Sequence, residues 1–132
     1  MKILVVDDEK DVRALFEQRF RREIRSGQFA FTFAYSGEEA LDFLHAHPSE
    51  VVLILSDINM PGMSGLELLK RIRQEYAAPP PPLPPQVMMI TAYGDEESHQ
   101  QALQLGANDF LTKPVDFTAL KAKLTSMASH EN

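Results

Sequence analysis

Residues 51–62 constrain the fold of this chain more than any other stretch of its sequence. Five apolar residues, most of them β-branched, run without a break to Ser56 and Asp57, and Pro61-Gly62 closes the stretch. An apolar run of this length that ends at turn residues predicts a strand buried on both faces. Such strands lie at the centre of parallel sheets, where ligands bind beyond the carboxyl ends of the strands. We therefore expect Asp57, at that end, to carry the function.

Length and composition exclude several classes of protein. The chain has 132 residues, which suffice for one domain with a real core but not for two. It contains no cysteine, so a disulfide framework and a thiolate metal site are both excluded. The apolar run at residues 3–6 is too short for a signal peptide or a membrane span, and we expect a cytoplasmic protein. The formal net charge of −6 disfavours direct binding of nucleic acid, because phosphate backbones select basic surfaces.

Periodicity along the chain predicts five strands that alternate with five helices. The predicted strands are residues 3–6, 29–34, 51–57, 87–91 and 109–111. Ser36 with Glu39, and Ser64 with Glu67, have the spacing of capping boxes that begin the second and third helices. Asp116 can cap the last helix. Strands that alternate with helices form right-handed crossovers, so the pattern predicts a parallel sheet with helices on both faces.

A proline-rich loop, residues 77–86, separates the third predicted helix from the fourth strand. It contains six of the nine prolines in the chain. Proline has no backbone N–H, so the loop cannot be a helix or an inner strand, and polyproline II is the expected form. Loops that follow helices lie at the sheet edge opposite Asp57. We expect a stiff connector that leaves the chemistry undisturbed, and the alternative is a docking site for an aromatic-lined groove.

The loops that follow strands one, three, four and five share the other edge of the predicted sheet. Their polar residues there are Asp7, Asp8, Asp57, Thr91 and Lys113. Like charges about 4 Å apart repel by about 4 kcal/mol at an effective dielectric constant of 20, so a cluster of three carboxylates is costly unless a cation neutralises it. Oxygen ligands of this kind, with room for water, suit Mg²⁺. A carboxylate can attack phosphorus to form an aspartyl phosphate. The lysine ammonium and the threonine hydroxyl would then contact phosphoryl oxygens.

Four motifs, in this order along the chain, resemble those of response-regulator receiver domains. They are VVDDE at residues 5–9, SDINMPGMSG at residues 56–65, Thr91-Ala92, and TKP at residues 112–114. The resemblance covers nearly the whole chain. It implies a single receiver domain over residues 1–132, with a flavodoxin-like α/β fold whose five parallel strands have the order 2-1-3-4-5.

The resemblance implies a phosphoacceptor in a two-component or phosphorelay system. Asp57 would accept a phosphoryl group from a histidine kinase or a histidine phosphotransfer protein. Asp8, Asp57 and the backbone carbonyl of Asn59 would hold Mg²⁺, with Asp7 acting through water. Such a protein is not an enzyme beyond its own phosphorylation and dephosphorylation.

The resemblance also implies a switch. Thr91 would move towards the phosphoryl group while the ring of Phe110 turns inward, and a downstream protein target would bind the face formed by the fourth helix, fifth strand and fifth helix. Asn59 and Tyr93 match positions that tune the lifetime of the phosphoryl group. Lys113-Pro114 matches a bond that is usually cis and that would aim the lysine inward. Direct contacts with nucleic acid or a membrane are not expected.

Two other functions are compatible with the residues themselves. A Mg²⁺-dependent phosphohydrolase would use an aspartyl nucleophile, but Asn59 stands where a second acid–base carboxylate would be needed. A phosphate-independent binding module would leave the acidic pocket without a role, which its complete set of residues disfavours. Phe110, taken alone, fits a plain core residue as well as a switch. The histidines form no ligand constellation and are expected at the surface: His45, His47, His99 and His130.

Overall fold

Five parallel strands form one sheet in the order β2-β1-β3-β4-β5. The structure, a computed structural model, describes residues 1–47, 50–75, 85–92 and 94–129. The strands are β1 (Lys2–Val6), β2 (Ala30–Ala34), β3 (Leu53–Asp57), β4 (Gln86–Thr91) and β5 (Asp109–Thr112). The predicted α/β class, strand order and flavodoxin-like topology are confirmed.

Helices cover both faces of this sheet. In the described part of the chain they are α1 (Asp11–Arg19), α2 (Arg21–Arg25), α3 (Gly37–Ala46), α4 (Gly65–Glu75), α5 (Glu96–Gln104) and α6 (Phe117–Ser129). The sequence predicts one continuous first helix, and this prediction is wrong. Phe20 interrupts it with φ −111° and ψ 24°. The break leaves the Phe20 ring fully buried against Phe16 and Phe29, so packing in the core takes precedence over a straight helix.

Side-chain caps begin the helices where the sequence predicts them. The Ser36 hydroxyl accepts a hydrogen bond from the Glu39 amide at 3.1 Å, and the Ser64 hydroxyl accepts one from the Glu67 amide at 3.1 Å. The Asp116 carboxylate accepts hydrogen bonds from two amides of the first turn of α6. Each cap satisfies amides that have no partner within the helix.

Strand β3 begins two residues later than the apolar run from which it was predicted. Val52 is 37% exposed, although its amide donates to the Lys2 carbonyl and its carbonyl accepts from the Gln86 amide. The run therefore starts at the rim of the sheet and enters the core at Leu53. The apolar residues of β3 itself are fully buried, which confirms that this strand is central.

The predicted proline-rich loop lies almost entirely outside the described residues. Its last residue, Gln86, belongs to β4, so the loop is shorter at this end than the sequence predicts. Pro85 is buried, and its carbonyl accepts a hydrogen bond from the Arg73 guanidinium at 3.2 Å. The end of the loop is thus attached to α4.

Two apolar layers, one on each face of the sheet, set the direction of the site residues. Leu53 and Leu55 belong to the layer that contains residues of α1 and α6, whereas Val87 and Met89 belong to the layer with α3, α4 and α5. Side chains alternate along a strand, so Asp57 lies on the same face as Leu53 and Leu55. Thr91 lies on the same face as Val87 and Met89. Among the helices described, none is both long and apolar enough to cross a membrane.

Candidate functional site at the carboxyl edge of the sheet

A buried carboxylate and a lysine meet at the carboxyl edge of the sheet. Asp57 is the last residue of β3, and Lys113 follows β5. The Lys113 Nζ atom lies 2.6 Å from Asp57 Oδ2. Asp57 is only 3% exposed, whereas the lysine is half-buried. The parallel topology joins two residues that are 56 positions apart in the sequence.

Three carboxylates share this edge. One oxygen atom from each of Asp7, Asp8 and Asp57 lies within 4.8 Å of the other two. Asp7 and Asp57 are buried and Asp8 is exposed, so the cluster is open to solvent on one side. Mg²⁺ takes oxygen ligands and keeps several waters, so a few carboxylates beside solvent are suitable ligands. The three residues therefore fit a divalent cation of this kind.

The loop after β3 holds the second oxygen of Asp57 in place. The Asn59 amide donates to Asp57 Oδ1 at 3.2 Å, and the Gly65 amide donates to the Ile58 carbonyl at 2.8 Å. A Cβ atom at Gly65 would stand 2.2 Å from the backbone oxygen of Asp57. Only glycine allows the start of α4 to approach the end of β3 this closely. The Asn59 carbonyl, predicted as a metal ligand, belongs to the same loop, and its role stays a prediction.

The surroundings of Asp7 disfavour its negative charge. Burial raises the pKa of this carboxyl most, and the charge of Asp57 raises it further. A hydrogen bond from the Glu9 amide to Asp7 Oδ1, 2.9 Å long, and the charge of Lys113 act in the opposite direction without cancelling the rise. The carboxylate cluster therefore lacks positive charge, which a bound cation would provide.

Lys113 is held in its charged form. Burial lowers the pKa of its ammonium, but the hydrogen bond and charge of Asp57 outweigh this effect, with the charges of Asp7 and Glu9 adding to them. The pKa is therefore raised above its ordinary value. The Lys113-Pro114 peptide bond is cis.

Thr91 and Phe110 lie on the other face of the sheet. Thr91 is 4% exposed, and its hydroxyl donates to the Leu111 carbonyl at 3.5 Å. Strand register pairs Met89 with Phe110, so Thr91 stands two residues beyond the partner of Phe110 on the same face. The half-buried Phe110 ring packs against the apolar layer that includes α5. The structure thus brings the two predicted switch residues close to each other.

A family model described as the response regulator receiver domain matches residues 3–125. The chain belongs to this family. It is 41% identical over 123 residues to the response regulator protein PilR of Pseudomonas aeruginosa, a match that covers 91% of this chain and 24% of PilR. It is 34% identical over 126 residues to the transcriptional regulatory protein CpxR of Escherichia coli strain K12, covering 96% of this chain and 48% of CpxR. The chain therefore spans about half or less of the length of these relatives.

Solved structures resemble this receiver domain as well. A response regulator receiver domain protein from Clostridium thermocellum superposes with a TM-score of 0.81 over 98% of this chain and 95% of the other. At 23% sequence identity this likeness concerns the fold alone. It agrees with the sheet order and with helices on both faces.

Sequence reasoning missed one residue near the functional edge of this receiver domain. His99 of α5 is half-buried, and its ring lies 3.9 Å from the ring of Phe110, measured between centroids. Of the histidines expected at the surface, His45 is exposed, whereas His47 and His99 are only half-buried. One signal was available, because His99 stands one helical turn before the buried Ala102. Tyr93 and His130, for which predictions were also made, lie outside the described residues.

Proposed function

We propose that this receiver domain accepts a phosphoryl group on Asp57 from a phosphohistidine of a histidine kinase or a histidine phosphotransfer protein. In this reaction a carboxylate oxygen of Asp57 attacks phosphorus, the P–N bond of phosphohistidine breaks, and the departing ring nitrogen keeps the electron pair. The observation that supports the proposal best is the buried carboxylate of Asp57 at the sheet edge, 2.6 Å from a charged lysine and beside two further carboxylates.

Each neighbour of Asp57 has a role in this proposal. The amide of Asn59 fixes one carboxylate oxygen, and Lys113 exchanges its contact with the other for a contact with a phosphoryl oxygen. Asp8, Asp57 and the Asn59 carbonyl would hold Mg²⁺, with Asp7 acting through water. When bound, this ion offsets the negative charge of the phosphoryl group.

The phosphodonor would approach along a groove beside the acidic cluster. The groove lies between α1 and the segment that joins β5 to α6, and its walls include Leu15, Val115 and Phe117 next to Asp7 and Lys113. Leu15 is 39% exposed, so an apolar side chain is available to a partner in the same groove as Asp7 and Lys113. The exposed apolar side chain supports a protein as the phosphodonor, because a protein can cover Leu15 and a small substrate cannot.

The signal would pass from Asp57 through Thr91 and Phe110 to the face formed by α5, β5 and α6. The helices α5 and α6 are the fourth and fifth helices of the sequence prediction, since the first predicted helix is divided into α1 and α2. The Thr91 hydroxyl, which donates to the Leu111 carbonyl in this structure, would turn to the phosphoryl group. The Phe110 ring would then move into the space that the hydroxyl leaves. This face is the proposed site for a downstream protein target. Asn59 and Tyr93 are proposed to tune the lifetime of the phosphoryl group.

Members of this family are signalling proteins rather than classical enzymes. We propose that this chain is a cytoplasmic switch whose only chemistry is its own phosphorylation and dephosphorylation. The relative CpxR is named a transcriptional regulatory protein, and it is about twice as long as this chain. The prediction that nucleic acid is not a direct partner therefore concerns only the residues of this receiver domain.

Labelling with a small acyl phosphate in the presence of Mg²⁺ tests the proposal. We expect the intact mass to increase by one phosphoryl group, and Asp57→Asn to abolish the increase. Asp109→Asn is the matched control, because Asp109 also forms a 2.6 Å pair with a lysine, Lys123, but lies at the start of β5. Equal labelling of the Asp57→Asn protein would contradict the proposal. Steady turnover of a small phosphomonoester in the presence of Mg²⁺ would favour a phosphohydrolase instead.

A further inference from the structure

The proposed function leaves one close contact at the switch unexplained. The His99 imidazole of α5 lies over the Phe110 ring of β5, with ring centroids 3.9 Å apart and the two planes inclined by 31°. Both side chains are half-buried. Packed aromatic rings, such as those of this tilted stack, attract each other beyond the apolar area that they bury. Any movement of Phe110 away from α5 must break this contact.

The position of Thr91 gives the contact a consequence for the switch. Thr91 and Phe110 share one face of the sheet, and the Thr91 hydroxyl donates to the backbone of the strand that carries Phe110. His99 lies on α5, outside the sheet, so it can contact Phe110 only while the ring is turned towards the helix. The ring cannot keep this stack and also fill space beside Thr91. The two positions of Phe110 therefore exclude each other.

We propose that His99 is a positioning residue that holds Phe110 in its resting place against α5 until Asp57 is phosphorylated. This inference rests on the proposed function, because it assigns His99 a part in the switch formed by Thr91 and Phe110. The stack is present in the unphosphorylated protein and is lost in the switched one. It therefore stabilises the resting state alone and shifts the balance between the two states.

Removal of the stack is expected to ease the switch. Aromatic pairs of this kind change a population ratio by roughly two- to tenfold. The His99→Ala protein should therefore bind the phosphoryl analogue beryllofluoride, with Mg²⁺, roughly two- to tenfold more tightly than the parent protein. Binding of an analogue that favours the switched state is tighter when the resting state is less stable.

Two further variants separate positioning from a general structural role. His99→Phe keeps an aromatic ring over Phe110, so it should restore an affinity close to that of the parent. Gln100→Ala alters the neighbouring exposed residue of α5 and should leave the affinity unchanged. Resonances of the Phe110 ring should shift towards their beryllofluoride-bound positions in free His99→Ala but not in free Gln100→Ala.

The outcomes distinguish this inference from the proposed function. An affinity of His99→Ala equal to that of Gln100→Ala, with unshifted Phe110 resonances, would overturn the role of His99 and leave the proposed function intact. Looser binding by His99→Ala would overturn it as well, since the residue would then support the switched state. If the parent protein does not bind beryllofluoride at Asp57, the proposed function fails, and the role of His99 fails with it.

Discussion

At the scale of single residues, the raised pKa of Asp7 links the site to the stability of the fold. For a carboxyl whose pKa is higher in the folded than in the unfolded protein, the folded state binds the proton more tightly. The resulting stability is present below the unfolded value of 3.8 and is lost as the pH rises through the raised folded value. At neutral pH the ionised carboxylate of Asp7 is thus a cost, caused by burial and by Asp57.

Asp7→Asn should therefore stabilise the protein at neutral pH when divalent cations are absent. Asparagine keeps an oxygen that can accept from the Glu9 amide but carries no charge. We expect the free energy of unfolding in urea to increase by about 1 kcal/mol, the usual size of a single-residue effect. The gain should shrink as the pH falls towards 3.8, where the parent carboxyl takes up its proton. A less stable variant at neutral pH would show that the cluster does not destabilise the fold.

Two lysine–aspartate pairs allow the burial of Asp57 to be tested by comparison. Lys113–Asp57 and Lys123–Asp109 have the same length of 2.6 Å and equally exposed lysine side chains, but the side chain of Asp57 is 4% exposed and that of Asp109 is 42% exposed. Lys113→Ala leaves a buried carboxylate without its partner and should lower the free energy of unfolding by about 1–3 kcal/mol. Lys123→Ala should lower it by less than about 1 kcal/mol. Equal losses would mean that burial of Asp57 has little effect on the strength of its ion pair.

Among the helices and strands, some boundaries depend on local sequence signals and others depend on packing in the core. Helix starts were predictable, because Ser36, Ser64 and Asp116 satisfy amides within their own first turns. The break at Phe20 was not predictable, because it depends on the aromatic rings of Phe29, just before β2, and Phe31, in β2, which the periodicity of α1 does not include. The late start of β3 has a similar cause, since an apolar run does not reveal where the rim of the sheet lies.

Thr91→Ala tests whether β4 carries the signal to α5, β5 and α6. The variant keeps Asp57 and Lys113, so it should still be labelled by a small acyl phosphate. It lacks the hydroxyl that distinguishes the two states, so the chemical-shift changes in α5 and α6 upon phosphorylation should be smaller than in the parent. Thr112→Ala, which alters the exposed strand partner of Thr91, should respond like the parent. If the Thr91→Ala protein shows the full remote response, the signal must follow another route.

At the scale of the whole molecule, the parallel topology explains why the site could be predicted from the sequence. The carboxyl ends of parallel strands lie at the same edge, so the end of β3 and the residues after β1 and β5 come together there, although they are far apart in the chain. The geometry that topology does not determine could not be predicted. The stack of His99 on Phe110 depends on how α5 is placed over β5, and the resting bond of Thr91 to the Leu111 carbonyl depends on a side-chain rotamer.

Receipt of a phosphoryl group from phosphohistidine by Asp57 is the step on which the proposed switch depends. The most direct measurement is transfer from a phosphorylated histidine phosphotransfer domain in the presence of Mg²⁺, followed by reduction with borohydride and mass spectrometry of the peptides. Borohydride converts an aspartyl phosphate to homoserine, which marks the position of the acyl phosphate. We predict homoserine at position 57 and at no other aspartate. Homoserine at Asp7, Asp8 or Asp109 with Asp57 unmodified, or label retained only on a histidine of this chain, would contradict the assignment of Asp57 as the phosphoacceptor.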